Sequence, residues 1–467
     1  MIPDDITENL DNKTREIAKV CKSLNISQWE IIAEQSYGYE LDIEAGKITM
    51  ASGGGAGGFG IRIINDGKYA YTYVNSLSGI EKALLEAKKI CDVSPSIDGF
   101  ELPSNSDATE VKGMYDKSIL SVEPEFLLSQ GDDLISHVGS LDSEAKVTGG
   151  GIGVGVTASQ ILSSEGIDQA GLKSSHGLGV QVSIDKDEKI TSSWQSYSQS
   201  GLIDFIPKEI DEAVHWARVT RNVVEVDKGA VDGKVVMNGG AFTPLFSMVV
   251  PSAIAGEKYY NKESLWSGKI GTRVISEELT IMDNPHLEGG KASAGRDAEG
   301  VPTNVRSLVS NGILEQVNWS VRDSAKAVQQ GLVESASTTG SAQRGGYQSV
   351  PYTGNTNMFI TSKRGNNSTE ELLSKMGDGY IVNSVMGAHT ANPTSGDFSV
   401  TTSSILKVEE GEVVGALKQA GVSGNMAKAL SGIVEFGGDV RPRGSYSSGS
   451  VYVSDVLLHE GVRINPA

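Results

Sequence analysis

Between residues 9 and 24, Leu10, Ile17, Val20, Cys21 and Leu24 recur near one face of a 3.6-residue period, which predicts an amphipathic helix. The run "WEIIAEQSYGYELDIEAGKITMAS" then alternates apolar and polar residues in the manner of a hairpin. After "GGGAGG", the stretch "FGIRIINDGKYAYTYVN" reads as two more strands around Asn65, Asp66 and Gly67, a strong short-range hairpin signal. Ile80 to Ile90 is amphipathic again. The first unit is therefore expected to run α-β-β-β-β-α, with the glycine run as a flexible loop inside it.

Something similar returns downstream. A helix is expected at about 122–139, glycine-laced strands in "AKVTGGGIGVGVTASQILSSEG", further strands in "GLGVQVSIDKDEKITSSWQSY", and a helix from about 206 to 220. Element order, without a fixed-period sequence match, points to an internal duplication. From "GKVVMNGGAFTPLFSMVV" onward the texture changes to short β-like runs between long glycine, serine and asparagine stretches, with helix-like segments near 245–256 and 368–376. A boundary near 225 separates an N-terminal α+β domain, 1–225, from a β-rich C-terminal domain, 226–467.

Size agrees with that division, because 467 residues exceed the ~250–300 at which one core usually stops growing. The formal net charge of −19 and the lack of a basic stripe argue against nucleic-acid binding, which needs cations on phosphates. Cys21 and Cys91 are too few for a disulfide framework and fall in helical segments, so buried thiols in a reducing cytoplasm are expected. The start, "MIPDDITENLDNKTREIAKV", has no basic or apolar export signature, and nowhere do about 18 apolar residues run together. Neither export nor a membrane span is expected.

The glycine motifs at 53–60 and 149–155 both continue into strand, so no helix N-terminus follows to hold a phosphate. No Gly-x-Ser-x-Gly elbow occurs, and the six histidines never form His-x-x-x-His or His-Glu-x-x-His. His459 and Glu460 have no second histidine nearby. Two constellations remain. "NPHLEGG" offers His286 and Glu288, and "GAHTANPTSGDFSV", residues 387–400, offers His389 and Asp397. Two imidazoles and two carboxylates are a plausible zinc ligand count, although neither pair has helical i, i+4 spacing. The competing reading is loop histidines held in turns.

The motifs "GGFGIRIINDGKYAYTYVNSL", "SGKIGTRVISEELTIMDNP", "DAEGVPT", "NGIL", "TTGSAQRGG" and "TSGDFSV", in that order, resemble the TldD/PmbA (TldE) family of cytoplasmic peptidases. The resemblance implies an α+β fold with a barrel-like C-terminal sheet. In that family the TldD-type subunit carries zinc on a His-Glu-x-x-x-His helix, with a cysteine ligand near the C-terminus, whereas the TldE-type subunit lacks them. The corresponding positions here are Ser247, Met248 and Ser252, and in a looser alignment Ser448. Pro251 would also interrupt that helix in mid-course.

What the resemblance implies is a PmbA/TldE-like chain with neither catalytic residues nor metal of its own. Zinc is then expected in a TldD-like partner, in a heterodimer, with a homodimer as the state in the partner's absence. The implied activity is proteolysis of short or unfolded peptides and, in some members, processing of modified-peptide precursors. The family's historical name, modulator of DNA gyrase, implies no DNA contact. By the same resemblance residues 387–400 line half of a peptide groove: Gly387 and Gly396 allow close backbone approach, and His389, Asn392, Thr394, Ser395 and Asp397 offer polar groups. Phe398 opens a strand on which an extended chain can pair. Two further readings are an independent metallopeptidase using His286, Glu288, His389 and Asp397, and a homodimeric peptide-binding protein without catalysis.

Overall fold

The computed structural model describes residues 6–186, 189–227, 229–335, 337–444 and 449–467. Its first unit is α1 (Ile6–Ser23), β1 (Gln28–Glu44), β2 (Lys47–Asn65), β3 (Lys68–Val74) and α2 (Ile80–Val93). Three strands replace the expected four, because "GGGAGG" is no loop but part of the 19-residue β2. Tyr37 and Tyr39 of β1 explain two of the glycines. A Cβ on Gly55 or Gly53 would stand 2.5 Å from the ring of Tyr37 or Tyr39, so bare backbone is what lets both rings lie across the neighbouring strand.

The second unit repeats the order: α3 (Pro124–Leu141), β4 (Ala145–Ser163), β5 (Asp168–Lys186), β6 (Lys189–Gln199) and α4 (Lys208–Val219). All six strands form one antiparallel sheet, β3-β2-β1-β4-β5-β6. The two units meet at β1 and β4, which pair from Glu30 opposite Ser163 to Glu44 opposite Gly149. The duplication read from element order is thus visible as mirrored strand order about one seam.

Alternate residues of a strand face opposite sides, and β1 uses both. Trp29, Ile31 and Ala33 are buried with α1 and α2, while Leu41 and Ile43 on the same face are buried with α3 and α4. Cys21 and Cys91 are buried in the first of these cores, where desolvation pushes both thiols up, Cys21 to about 12. In the second core, His176 of β5 accepts the Ile203 backbone N–H on Nδ1 at 2.9 Å, so the proton sits on Nε2, 3.0 Å from Gln130 Oε1. Burial lowers this imidazole to about 4.

In the C-terminal half an eleven-stranded sheet and a four-stranded sheet both pack on α5 (Gly239–Ala253), whose Phe242, Phe246, Val249 and Val250 are at most 1% exposed. The expected break at Pro251 does not occur. Pro251 lies in the last turn, so its missing N–H costs one bond near an end that closes at Ile254. Among the described residues no helix is long and apolar enough to cross a membrane.

The opposite face of β1 holds the halves together. Arg62 of β2 donates to Glu30 at 2.7 Å and to Glu299 at 2.6 Å, with all three side chains at most 2% exposed. Glu30 also accepts from Arg344, and Glu299 accepts the Val321 N–H at 2.7 Å. Asp297 holds the supporting turn through the N–H groups of Glu299, Val301 and Ala342. Burial and then the Glu299 carboxylate push Asp297 up, against those three donors. In this turn Gly300 has φ of 78°, and a Cβ there would meet Ile167 at 2.8 Å.

Arg62→Met leaves two buried carboxylates short of a cation and is expected to cost about 3–5 kcal/mol, read by urea unfolding. His176 makes a second prediction. Its folded pKa lies below the unfolded value, so as pH falls from 6.5 towards about 4 the unfolded chain takes up a proton that the fold refuses. About 3 kcal/mol should be lost over that window. In His176→Gln the loss between those pH values should shrink by that amount; an unchanged pH profile would contradict the assignment.

Candidate functional site

The positions where the family resemblance expects a zinc motif lie on α5. Ser247 is completely buried and its Oγ has no hydrogen-bond partner among the described residues; Met248 and Ser252 are half-buried, with Met248 packed against the core. Ser448 lies outside the described residues. Zinc does not fit this stretch. Two hydroxyls and a thioether offer neither the imidazole or thiolate lone pairs that bind the ion nor a carboxylate to take a proton from water.

Against α5 packs the short turn Ala388–Thr390, so the segment 387–400 is a neighbour of that helix. Gly387 enters it at φ 90° and Gly396 leaves the following turn at φ 81°, values that suit glycine. The polar groups between them are engaged internally. Asn392 Oδ1 accepts the N–H groups of Thr394 at 2.9 Å and Ser395 at 3.2 Å. Thr394 Oγ1 donates to the Glu263 carbonyl at 3.0 Å. Asp397 accepts from Asn425 Nδ2 at 2.8 Å and from Ser395 Oγ at 2.7 Å, bonds that hold its carboxyl below the usual range, Asn425 contributing most. His389 is exposed, and Phe398 is buried in the core.

The strand Asp397–Thr402 pairs on one side with Ala420–Asn425. Its other edge is mostly taken by the chain itself: the Asp397 carbonyl accepts from Asn392 N–H at 2.8 Å, and Thr401 exchanges bonds with Met386 at 2.8 and 3.2 Å. Only Ser399 remains between these anchors, so an extended peptide finds a one-residue opening where the sequence suggested a free strand.

Nor does the alternative ligand set assemble. His286 Nε2 sits 3.0 Å from Thr303 Oγ1, Glu288 is exposed beside Gly113, and Asp397 is engaged as described. Among the described residues no three His, Cys, Asp or Glu side chains gather in a way that could hold a metal.

Sequence reasoning missed the cavity at the other end of α5. It holds about 490 Å³ and is lined by Glu212, His215, Asn238, Gly239, Arg443 and Asp455, among others, but by none of residues 387–398. Asp455 accepts the Gly239 N–H and thereby serves the helix N-terminus, which has no side-chain cap on Asn238. Desolvation raises its carboxyl to about 6, opposed by Arg443. No local signal marks this pair, since Gly239 and Asp455 belong to segments far apart in the chain.

Residues 231–459 match the PmbA/TldA metallopeptidase C-terminal domain, and residues 29–91 match PmbA/TldA metallopeptidase domain 1. The chain belongs to the TldD/PmbA family, which includes TldE. An uncharacterized protein of Methanocaldococcus jannaschii is 28% identical over 92% of this chain and 96% of its own length. Metalloprotease PmbA of Escherichia coli O157:H7 is 30% identical over 48% of this chain and 45% of that protein, less than half of either. TldE from Thermococcus kodakarensis shares the fold, with a TM-score of 0.83 at 23% identity over 97% of this chain and 99% of that one.

Asp455 gives a prediction of opposite sign to that of His176. With a folded pKa raised to about 6, it keeps its proton where the unfolded chain has lost it, so its contribution falls as pH rises from 3.8 to about 6. Asp455→Asn keeps an acceptor for Gly239 and should melt higher than wild type at pH 7, with the difference vanishing below about pH 4.

Proposed function

We propose that this chain is the non-zinc, TldE/PmbA-like subunit of a TldD/TldE-type peptidase complex that cleaves short or unfolded peptides. The observation that carries the reading is the chemistry of α5: a family fold retained around a helix whose ligand positions are Ser247, Met248 and Ser252. Nothing on that stretch activates water or polarises a carbonyl, so zinc and general base are assigned to a TldD-like partner. This chain would close the chamber from its side, with the turn Gly387–Asp397 held rigid against α5. Self-satisfied hydrogen bonds suit a wall of fixed shape better than a set of free donors.

The test is to purify the chain without a histidine tag, alone and after co-expression with a TldD-like protein, and to measure metal content, mass and cleavage of an unfolded substrate. Alone it should hold almost no zinc after desalting and cleave nothing; with the partner a heterodimer should form and chelator-sensitive cleavage appear. One zinc per isolated chain together with cleavage by it would overturn the proposal. So would a stable homodimer that refuses the partner.

A further inference from the structure

The distal half of β2 is an open sheet edge. Among the described residues β3 pairs only with Phe59–Asn65, so from Lys47 to Gly58 β2 is hydrogen-bonded on one side alone, to β1. The two-residue turn Asp66–Gly67 makes Asn65 and Lys68 a hydrogen-bonded pair, which directs the N–H and C=O of odd-numbered β2 residues towards that edge. Ala51, Gly53, Gly55 and Gly57 therefore present their backbone donors and acceptors outward, and residues 49–56 are exposed throughout. Natural edges of this length carry charges, prolines or bulges. Here Lys47 is the one charge on the open segment and no proline interrupts it; the bulge falls on Thr49, where Ile43 faces Ile48 and Asp42 faces Met50, and so lies before the stretch Ala51–Gly57.

Beside this edge lies a cavity of about 440 Å³. Its walls are Tyr37, Tyr39, Leu41, Pro124 and Leu127, with β2 residues 51–55 along the rim. It lies between the sheet and the start of α3, and Tyr37 in its wall borders both cores. The opposite face of the same stretch of sheet carries Glu40, Asp42 and Glu44. A strand laid along β2 would place alternate side chains in an apolar cavity and on an acidic face.

We propose that the β2 edge from Ala51 to Gly57 docks an extended peptide with large apolar side chains at alternate positions and basic ones between them. Backbone bonds to the edge supply sequence-tolerant affinity, and the tyrosine-lined cavity with its acidic reverse face selects the pattern. This site does not depend on a zinc-bearing partner, so it is tested on the chain alone.

The probe is a fluorescent heptapeptide, Lys-Phe-Lys-Leu-Lys-Phe-Lys, followed by anisotropy at physiological salt. Ala51→Pro removes an outward N–H and wedges the edge while sparing the ladder to β1, and it leaves the net charge unchanged. Saturable binding should weaken about tenfold or more in Ala51→Pro, and likewise for wild type when the peptide is N-methylated at alternate amides or has its apolar residues replaced by serine. Equal binding of the methylated peptide to wild type, whatever the variant does, would mean attraction to the acidic surface and would overturn the proposal. A wild-type dimer seen by sedimentation without peptide and dissociated by Ala51→Pro would overturn it too, by giving the edge to a second copy.

Discussion

A guanidinium cannot be left without counter-charge in a protein interior, and Arg62 is 2% exposed. Its partners come from both halves of the chain, Glu30 from β1 and Glu299 from a turn between the strands Leu279–Asp283 and Arg306–Ser310 of the C-terminal sheet. Such a network adds little net stability over an apolar contact of the same volume, but it tolerates one geometry only. Slide or tilt one half against the other and two carboxylates and two guanidinium groups lose their bonds together. The relation between the curled N-terminal sheet and the domain that encloses α5 is fixed by this intolerance more than by adhesion.

Parts of that arrangement were legible in the residues. Periodicity located α1 to α4, the Asn-Asp-Gly turn located the β2–β3 hairpin, and element order disclosed the duplication. The glycine run was not legible as strand, because alternation shows only where one face is buried, and residues 49–56 are exposed on every side. What keeps them extended is their ladder to β1, with the rings of Tyr39 and Tyr37 against Gly53 and Gly55, a relation between segments and not a local pattern. The same limit hid Asp455 at the end of α5. Conversely, "DAEGVPT" and "TTGSAQRGG", which carried the resemblance, supply Asp297, Glu299 and Arg344 to the junction, so what they mark is architecture.

The segment 387–400 shows how polar composition misleads about chemistry. It has the side chains of an active site, yet Asn392, Thr394, Ser395 and Asp397 are used to fold a turn against α5 and to occupy the edge of the strand that follows. A residue that holds its own loop has few lone pairs left for a substrate. Shape, supplied by a rigid turn, is then what the segment contributes to whatever lies beside it.

The seam between β1 and β4 sets how the molecule can be divided. Each unit places its first strand at the centre of the finished sheet, so a cut between α2 and α3 would leave each product with a long strand paired on one side and open along the other. Either product could regain a full sheet only by taking a second copy across the same line.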